Sequence, residues 1–291
     1  MTTVTYLRPI VNDNVVDNIV ALHGSLSSSE QWAKLIEACN GRYNIVAPDI
    51  SGYGSDWPCS EPAPSRMDTE VEHLARVLNK LVGPIHLVGH SFGGALAFKL
   101  ATSGRYAHRV RSLTLIEPSL PAILLDQDAD RPLYELFARG AAHICSPLWS
   151  GDRELALERF LTFWNGPRCW DALFPDKRVA LLERVTKIAG DFSAIFDETG
   201  VCVAARRLMV PTLLFSGGRS PLLLQQIVKR LASMMPHAWH VHLPAAAHML
   251  PVSHASEINP QILQLVDVVR LKSGTVLSLK ARSDWGANYA S

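Results

Sequence analysis

A serine flanked by glycines, Gly89-His90-Ser91-Phe92-Gly93-Gly94, is the stretch of this chain best suited to chemistry. It follows Ile85-His86-Leu87-Val88, an apolar run of strand type, and precedes Ala95-Leu96-Ala97-Phe98-Lys99-Leu100-Ala101, built from good helix formers. A G-x-S-x-G run at such a strand-to-helix junction puts its serine on a sharp, strained turn above a sheet, beside the free amides of a helix N-terminus. Small residues at positions 89 and 93 let the backbone turn and let the helix pack close to the strand. Ser91 is the candidate nucleophile.

A serine hydroxyl attacks a carbonyl only when a base takes its proton, and that base needs an orienting acceptor. His248 is the candidate base. It lies in Pro244-Ala245-Ala246-Ala247-His248-Met249-Leu250-Pro251, a loop of small residues after a strand ending at Leu243, which can carry an imidazole over the sheet. Of the 11 histidines, His240 and His242 alternate along that strand, His90 is the variable residue of the serine turn, and His254 falls near the start of the last helix. None forms an H-E-x-x-H or comparable ligand pattern, so a metal mechanism has no support. Charge that develops on a carbonyl oxygen calls for two fixed donors. His23-Gly24-Ser25 ends an early strand, so the Ser25 amide is expected to supply one donor and the Phe92 amide, just after the nucleophile, the other.

These residues need a scaffold, and the apolar pattern supplies one. Val15–Leu22 reads as a strand, Gln31–Cys39 as a helix with Ser29 as its cap, and Asn44–Ala47 as a second strand ending at Pro48-Asp49 and the loop Ser51-Gly52-Tyr53-Gly54-Ser55. Asp68–Leu81 is helical by the spacing of Val71, Leu74, Ala75, Leu78 and Leu81; Ile85–Val88 and Val110–Ile116 are the next strands. The alternation then stops. Residues 120–205 carry amphipathic helical stretches and no convincing strand, and Trp149, Phe160, Phe163, Trp164, Trp170 and Phe174 there are expected to pack mostly inside, with some lining an apolar pocket. The rhythm resumes with a strand at Thr212–Ser216, a helix at Leu222–Met234, a strand at Trp239–Leu243 and a helix at Glu257–Lys272. The fold class expected is α/β: a mostly parallel central sheet flanked by helices, with an inserted helical lid. Residues 1–119 and 206–272 form its core, 120–205 the lid, and 273–291 a polar C-terminal extension without clear pattern.

Composition narrows the partners. The 291 residues are 48% hydrophobic and 19% charged, with 28 Lys+Arg against 27 Asp+Glu, so no excess charge argues for nucleic acid or a membrane surface. The N-terminus lacks the basic start and apolar core of a signal peptide, and no apolar run approaches the roughly 20 residues of a membrane span; a cytoplasmic address is expected. Cys39, Cys59, Cys145, Cys169 and Cys202 are scattered and without C-x-x-C spacing, and are read as reduced thiols.

In chain order, His23-Gly24-Ser25, Pro48-Asp49 with Gly52-Tyr53-Gly54-Ser55, Gly89-His90-Ser91-Phe92-Gly93-Gly94 and Ala247-His248-Met249 resemble the α/β-hydrolase superfamily over Val15–Lys272, lid included. That resemblance implies a cofactor-free serine hydrolase for a small-molecule acyl substrate, with C–C bond hydrolase, lyase, acyl-transfer and ligand-receptor members on the same scaffold. The superfamily usually carries its orienting acid in a G-x-x-D segment after the lid. Here that segment is Gly217-Gly218-Arg219-Ser220-Pro221, and no Asp or Glu occurs between Glu198 and Glu257. The resemblance offers Glu117, at the end of the strand before the lid, as the alternative acid; Ser220 or a water is the weaker candidate, and Asp49 is implied to brace its loop.

Overall fold

The computed structural model describes residues 4–6, 17–54 and 63–274. Val15, Val16, Ser55, Cys59 and the part of the C-terminal extension beyond residue 274 lie outside them.

One seven-stranded sheet organises the chain. In sequence order its strands are β1 (Val4–Tyr6), β2 (Asn18–Leu22), β3 (Asn44–Pro48), β4 (Ile85–His90), β5 (Val110–Ile116), β6 (Thr212–Gly217) and β7 (Ala238–Leu243). They lie side by side as β1-β3-β2-β4-β5-β6-β7. All neighbouring pairs are parallel except β1 with β3, where a three-residue strand that the sequence pattern does not announce closes one edge in antiparallel register.

The helices α1 (Ala33–Cys39), α2 (Met67–Leu78) and α3 (Phe92–Thr102) connect the first strands. The first turn before α1 is a 3-10 segment, Ser29–Trp32, with Ser28 rather than Ser29 at its cap position and no side-chain capping bond. Between β5 and β6 come α4 (Arg131–Cys145), α5 (Arg153–Asn165), α6 (Pro175–Leu182), α7 (Lys187–Asp197) and α8 (Val201–Arg207), with short 3-10 turns and no strand among them. Helix α8 runs through the boundary that the sequence placed at 205/206. After β6 follow α9 (Leu222–Met234), the short α10 (Leu250–Ser253) and α11 (Ala255–Gly274), the last beginning two residues earlier than its sequence pattern suggests.

A parallel sheet covered on both faces must be apolar on both, and strands β2 to β6 are largely so. Ile19, Ala21, Val88, Ile116, Leu213 and Phe215 pack on one side with residues of α1 and α11. Val20, Leu22, Leu87, Leu113, Leu115 and Leu214 face the other, against α2, α3, α9 and the helices between β5 and β6. The tightest approach is at the centre. A Cβ on Gly93 would stand 2.3 Å from the His23 carbonyl oxygen, and one on Gly89 2.3 Å from that of Gly93, so α3 can seat on β2 and β4 only with glycine at both positions. Two aromatics expected inside the insertion, Trp149 and Phe174, are 66% and 73% exposed, whereas Phe160 and Trp164 are buried.

Candidate active site

Register places the reactive groups at one level. His90 on β4 is paired with Ile116 on β5, and the next residues along, Ser91 and Glu117, are the first to leave the sheet. Both sit at positive φ, +54° and +45°. Left-handed backbone in non-glycine residues costs on the order of 1–3 kcal/mol each and is held by its surroundings. Here the surroundings are main-chain bonds: the Ser91 amide donates to the Ile116 carbonyl at 3.0 Å, that of Glu117 to Phe215 at 3.1 Å, and that of Ser119 to Ser91 at 3.0 Å.

The third group arrives from the far side of the sheet. The loop after β7 folds back over β6, where Arg219 donates its amide to the Ala246 carbonyl at 2.9 Å, and the His90 ring donates to the His248 carbonyl at 2.8 Å. His248 Nε2 then lies 3.1 Å from Ser91 Oγ, and its Nδ1 2.8 Å from Glu117 Oε2. The other carboxylate oxygen of Glu117 accepts the Gly217 amide at 2.7 Å. With Nδ1–H given to the carboxylate, Nε2 is left as the acceptor for the serine proton. All three side chains are buried, Glu117 completely.

Ser25 and Phe92 line one narrow cavity with Ser91, together with Ser119 and, from the insertion, Phe160, Trp164, Ile188, Asp191, Phe192 and Ile195. That cavity has room for about one water molecule. Trp164 stacks on the His248 ring with centroids 5.0 Å apart. Ser220 Oγ is buried without a hydrogen-bond partner, so it does not orient the imidazole. Asp49 accepts the Ser29 amide at 2.7 Å, away from His248. His240 and His242 both bond Ser216 Oγ instead of entering the site.

The neighbouring rings are tuned to stay neutral. Burial pushes His23 and His90 below the ordinary histidine range. His23 takes the Ile50 amide on Nε2 at 2.9 Å and so donates Nδ1–H to the Gly24 carbonyl at 2.8 Å, which fixes the loop that carries Ser25.

Three participants have no local signature in the sequence. Ser119 Oγ lies 3.3 Å from Ser91 Oγ; since the Ser91 proton points to His248, Ser119 is the donor. Lys187 and Asp191 are the others. They sit on α7, with the lysine reaching Glu70 on α2. Their spacing of four along a helix reads like a solvated surface pair, and nothing in it announces burial. Among the described residues no group of three or more His, Cys, Asp or Glu is placed to hold a metal ion, and no helix is long and apolar enough to cross a membrane.

The fold has its counterpart in known proteins. The family model described as the alpha/beta hydrolase family matches residues 19–261. The chain belongs to the α/β-hydrolase family. Lipase LipV of Mycobacterium tuberculosis is 32% identical over 167 residues, a match covering 56% of this chain and 58% of LipV; the chain thus aligns with little over half of that relative. RutD of Pantoea ananatis, by name a carbamate hydrolase, is 26% identical over 267 residues, covering 89% of this chain and 91% of RutD. Among solved structures, MenH from S. aureus superposes with a TM-score of 0.70 at 21% identity, over 93% of this chain and 100% of that one, a likeness of fold.

Proposed function

We propose that the chain is a serine hydrolase that cleaves a small ester or related acyl compound through an acyl-enzyme. One observation carries the reading: the unbroken line from Ser91 Oγ through both nitrogens of His248 to Glu117, at 3.1 and 2.8 Å. Ser91 Oγ attacks the acyl carbon while its proton passes to His248 Nε2; Glu117 holds the ring and offsets the positive charge that then appears on it. The amides of Ser25 and Phe92 take the oxyanion. The C–O bond to the leaving group breaks as His248 returns the proton to that group. A water then gives a proton to His248 and attacks the acyl carbon; the bond from that carbon to Ser91 Oγ breaks as His248 passes the proton to Oγ, which frees the acid and restores the serine hydroxyl. Each step uses groups of this chain, and none calls for a cofactor.

The helices between β5 and β6 serve as a lid in this reading, because Phe160, Trp164 and Phe192 roof the cavity over Ser91. Cys39, Cys145, Cys169 and Cys202 are free thiols, which fits action in the cytosol.

The test is labelling with a fluorophosphonate followed by intact mass. One adduct per chain that Ser91→Ala abolishes supports the hydrolase. A chain that takes no label, and hydrolyses no p-nitrophenyl acetate, is a binding protein on the same scaffold.

A further inference from the structure

Beneath the insertion lies a second buried network, and it touches both residues expected to cradle the oxyanion. Asp191 Oδ2 accepts the Ser25 hydroxyl and the Tyr53 hydroxyl, each at 2.5 Å. Asp191 Oδ1 takes the Lys187 ammonium at 2.5 Å, and that ammonium also donates to Glu70 Oε1 at 2.8 Å. The same Nζ stands 5.2 Å from the centre of the Phe92 ring. Asp191, Lys187, Glu70 and Tyr53 are all buried.

The loop Gly52-Tyr53-Gly54, which the triad chemistry leaves without a task, is shaped around this network. Gly52 stands at φ +79°, and a Cβ there would meet the Lys187 stem at 2.9 Å. Tyr53 supplies a hydroxyl to Asp191. Two carboxylates around one ammonium in a buried place are a poor device for stability, since apolar residues of like volume serve as well or better. What the network does provide is position. Asp191 reaches from the insertion to the side chain of Ser25, whose neighbour Leu26 is held at φ +56°; the lysine fixes the carboxylate and lies over Phe92.

Resting on the hydrolase reading above, we infer that Asp191, clamped by Lys187, is a positioning residue for the oxyanion pocket. Docking of the insertion and correct placement of the Ser25 amide are one event. Asp191 touches no reacting atom; it acts through Ser25.

A double-mutant cycle on the full chain with p-nitrophenyl acetate tests this. Asp191→Asn and Ser25→Ala are each expected to lower kcat roughly tenfold or more, with KM within about twofold of the parent. The double variant is expected to be no slower than the slower single one, because both substitutions cut the same link. Inhibition by a short-chain boronic acid, which forms a tetrahedral adduct on Ser91, is expected to weaken in step with kcat. Multiplying losses, a change confined to KM, or unchanged kcat would overturn the inference. Should Asp191→Asn not fold, Ser25→Thr, which keeps the donor, is expected to retain the activity that Ser25→Ala loses; equal loss in both overturns it. A parent chain that neither labels nor turns over removes the hydrolase reading and this inference together, whereas an active parent with unaffected variants removes this inference alone.

Discussion

Ser91, His248 and Glu117 stand on loops at one edge of the sheet, whereas Glu70, Lys187 and Asp191 stand on helices packed above it. Both groups are buried and hydrogen-bonded. Only the second contains a permanent cation. Burial works against the Lys187 ammonium, yet Asp191 and Glu70 outweigh it and hold the amine above the usual lysine range. The first group has no such partner: Glu117 faces an imidazole, which on the proposed mechanism takes the proton of Ser91. The difference separates chemistry from architecture. A network that holds its cation at rest fixes geometry, while on the proposed mechanism one whose counter-charge is made during turnover lowers a barrier.

The comparison can be broken most sharply at Glu117. Glu117→Gln is expected to lower kcat by about 10^4-fold without unfolding the chain, while Asp49→Asn lowers it by less than about tenfold; comparable losses in p-nitrophenyl acetate hydrolysis would remove Glu117 from the role. Lys187→Met acts on the other network. Leaving Asp191 and Glu70 buried without their cation is expected to lower the free energy of urea unfolding by about 3–5 kcal/mol. A neutral result would mean that the ammonium does not hold the two carboxylates in place.

Acid should act on stability through histidines that belong to neither network. His23, His86 and His90 are all lowered from 6.5, His86 to about 4, each chiefly by burial. Below pH 6.5 the unfolded chain therefore binds protons that the folded chain does not, and stability falls as pH falls toward the folded values. Each such histidine adds a slope of up to about 1.4 kcal/mol per pH unit. Urea midpoints between pH 7 and 5 are expected to fall, and His86→Gln to flatten the trend; a flat parent profile would contradict neutral burial. The smallest effect is expected of Ser220→Ala, whose hydroxyl has no partner to lose. It is expected to change unfolding free energy by less than about 0.5 kcal/mol and kcat by less than twofold; a tenfold drop would return Ser220 to the imidazole.

What the sequence made legible was whatever has a local cause. The turn at Ser91 needs glycines at fixed offsets, the His248 loop follows a strand, and with no carboxylate from 199 to 256 the family resemblance pointed to Glu117, which lies 2.8 Å from His248. The parallel sheet was readable for the same reason, since its strands are short apolar runs between helical patterns. Asp191 and Lys187 were not readable, because a pair four apart on a helix looks alike on a surface or in a buried interface. Nor were Trp164 and Trp149 separable: one lies on the imidazole and the other is 66% exposed, and only the path of α5 and its preceding turn decides between them. The edge strand Val4–Tyr6 is too brief to show a period.

The narrowness of the space beside Ser91 also bears on timing. A compartment with room for about one water is smaller than any acyl compound, so on the proposed mechanism the side chains of α5 and α7 that line it must give way on entry. The observed rate of inactivation by a serine-directed reagent is accordingly expected to level off as its concentration rises, at a plateau that reports how often the door opens.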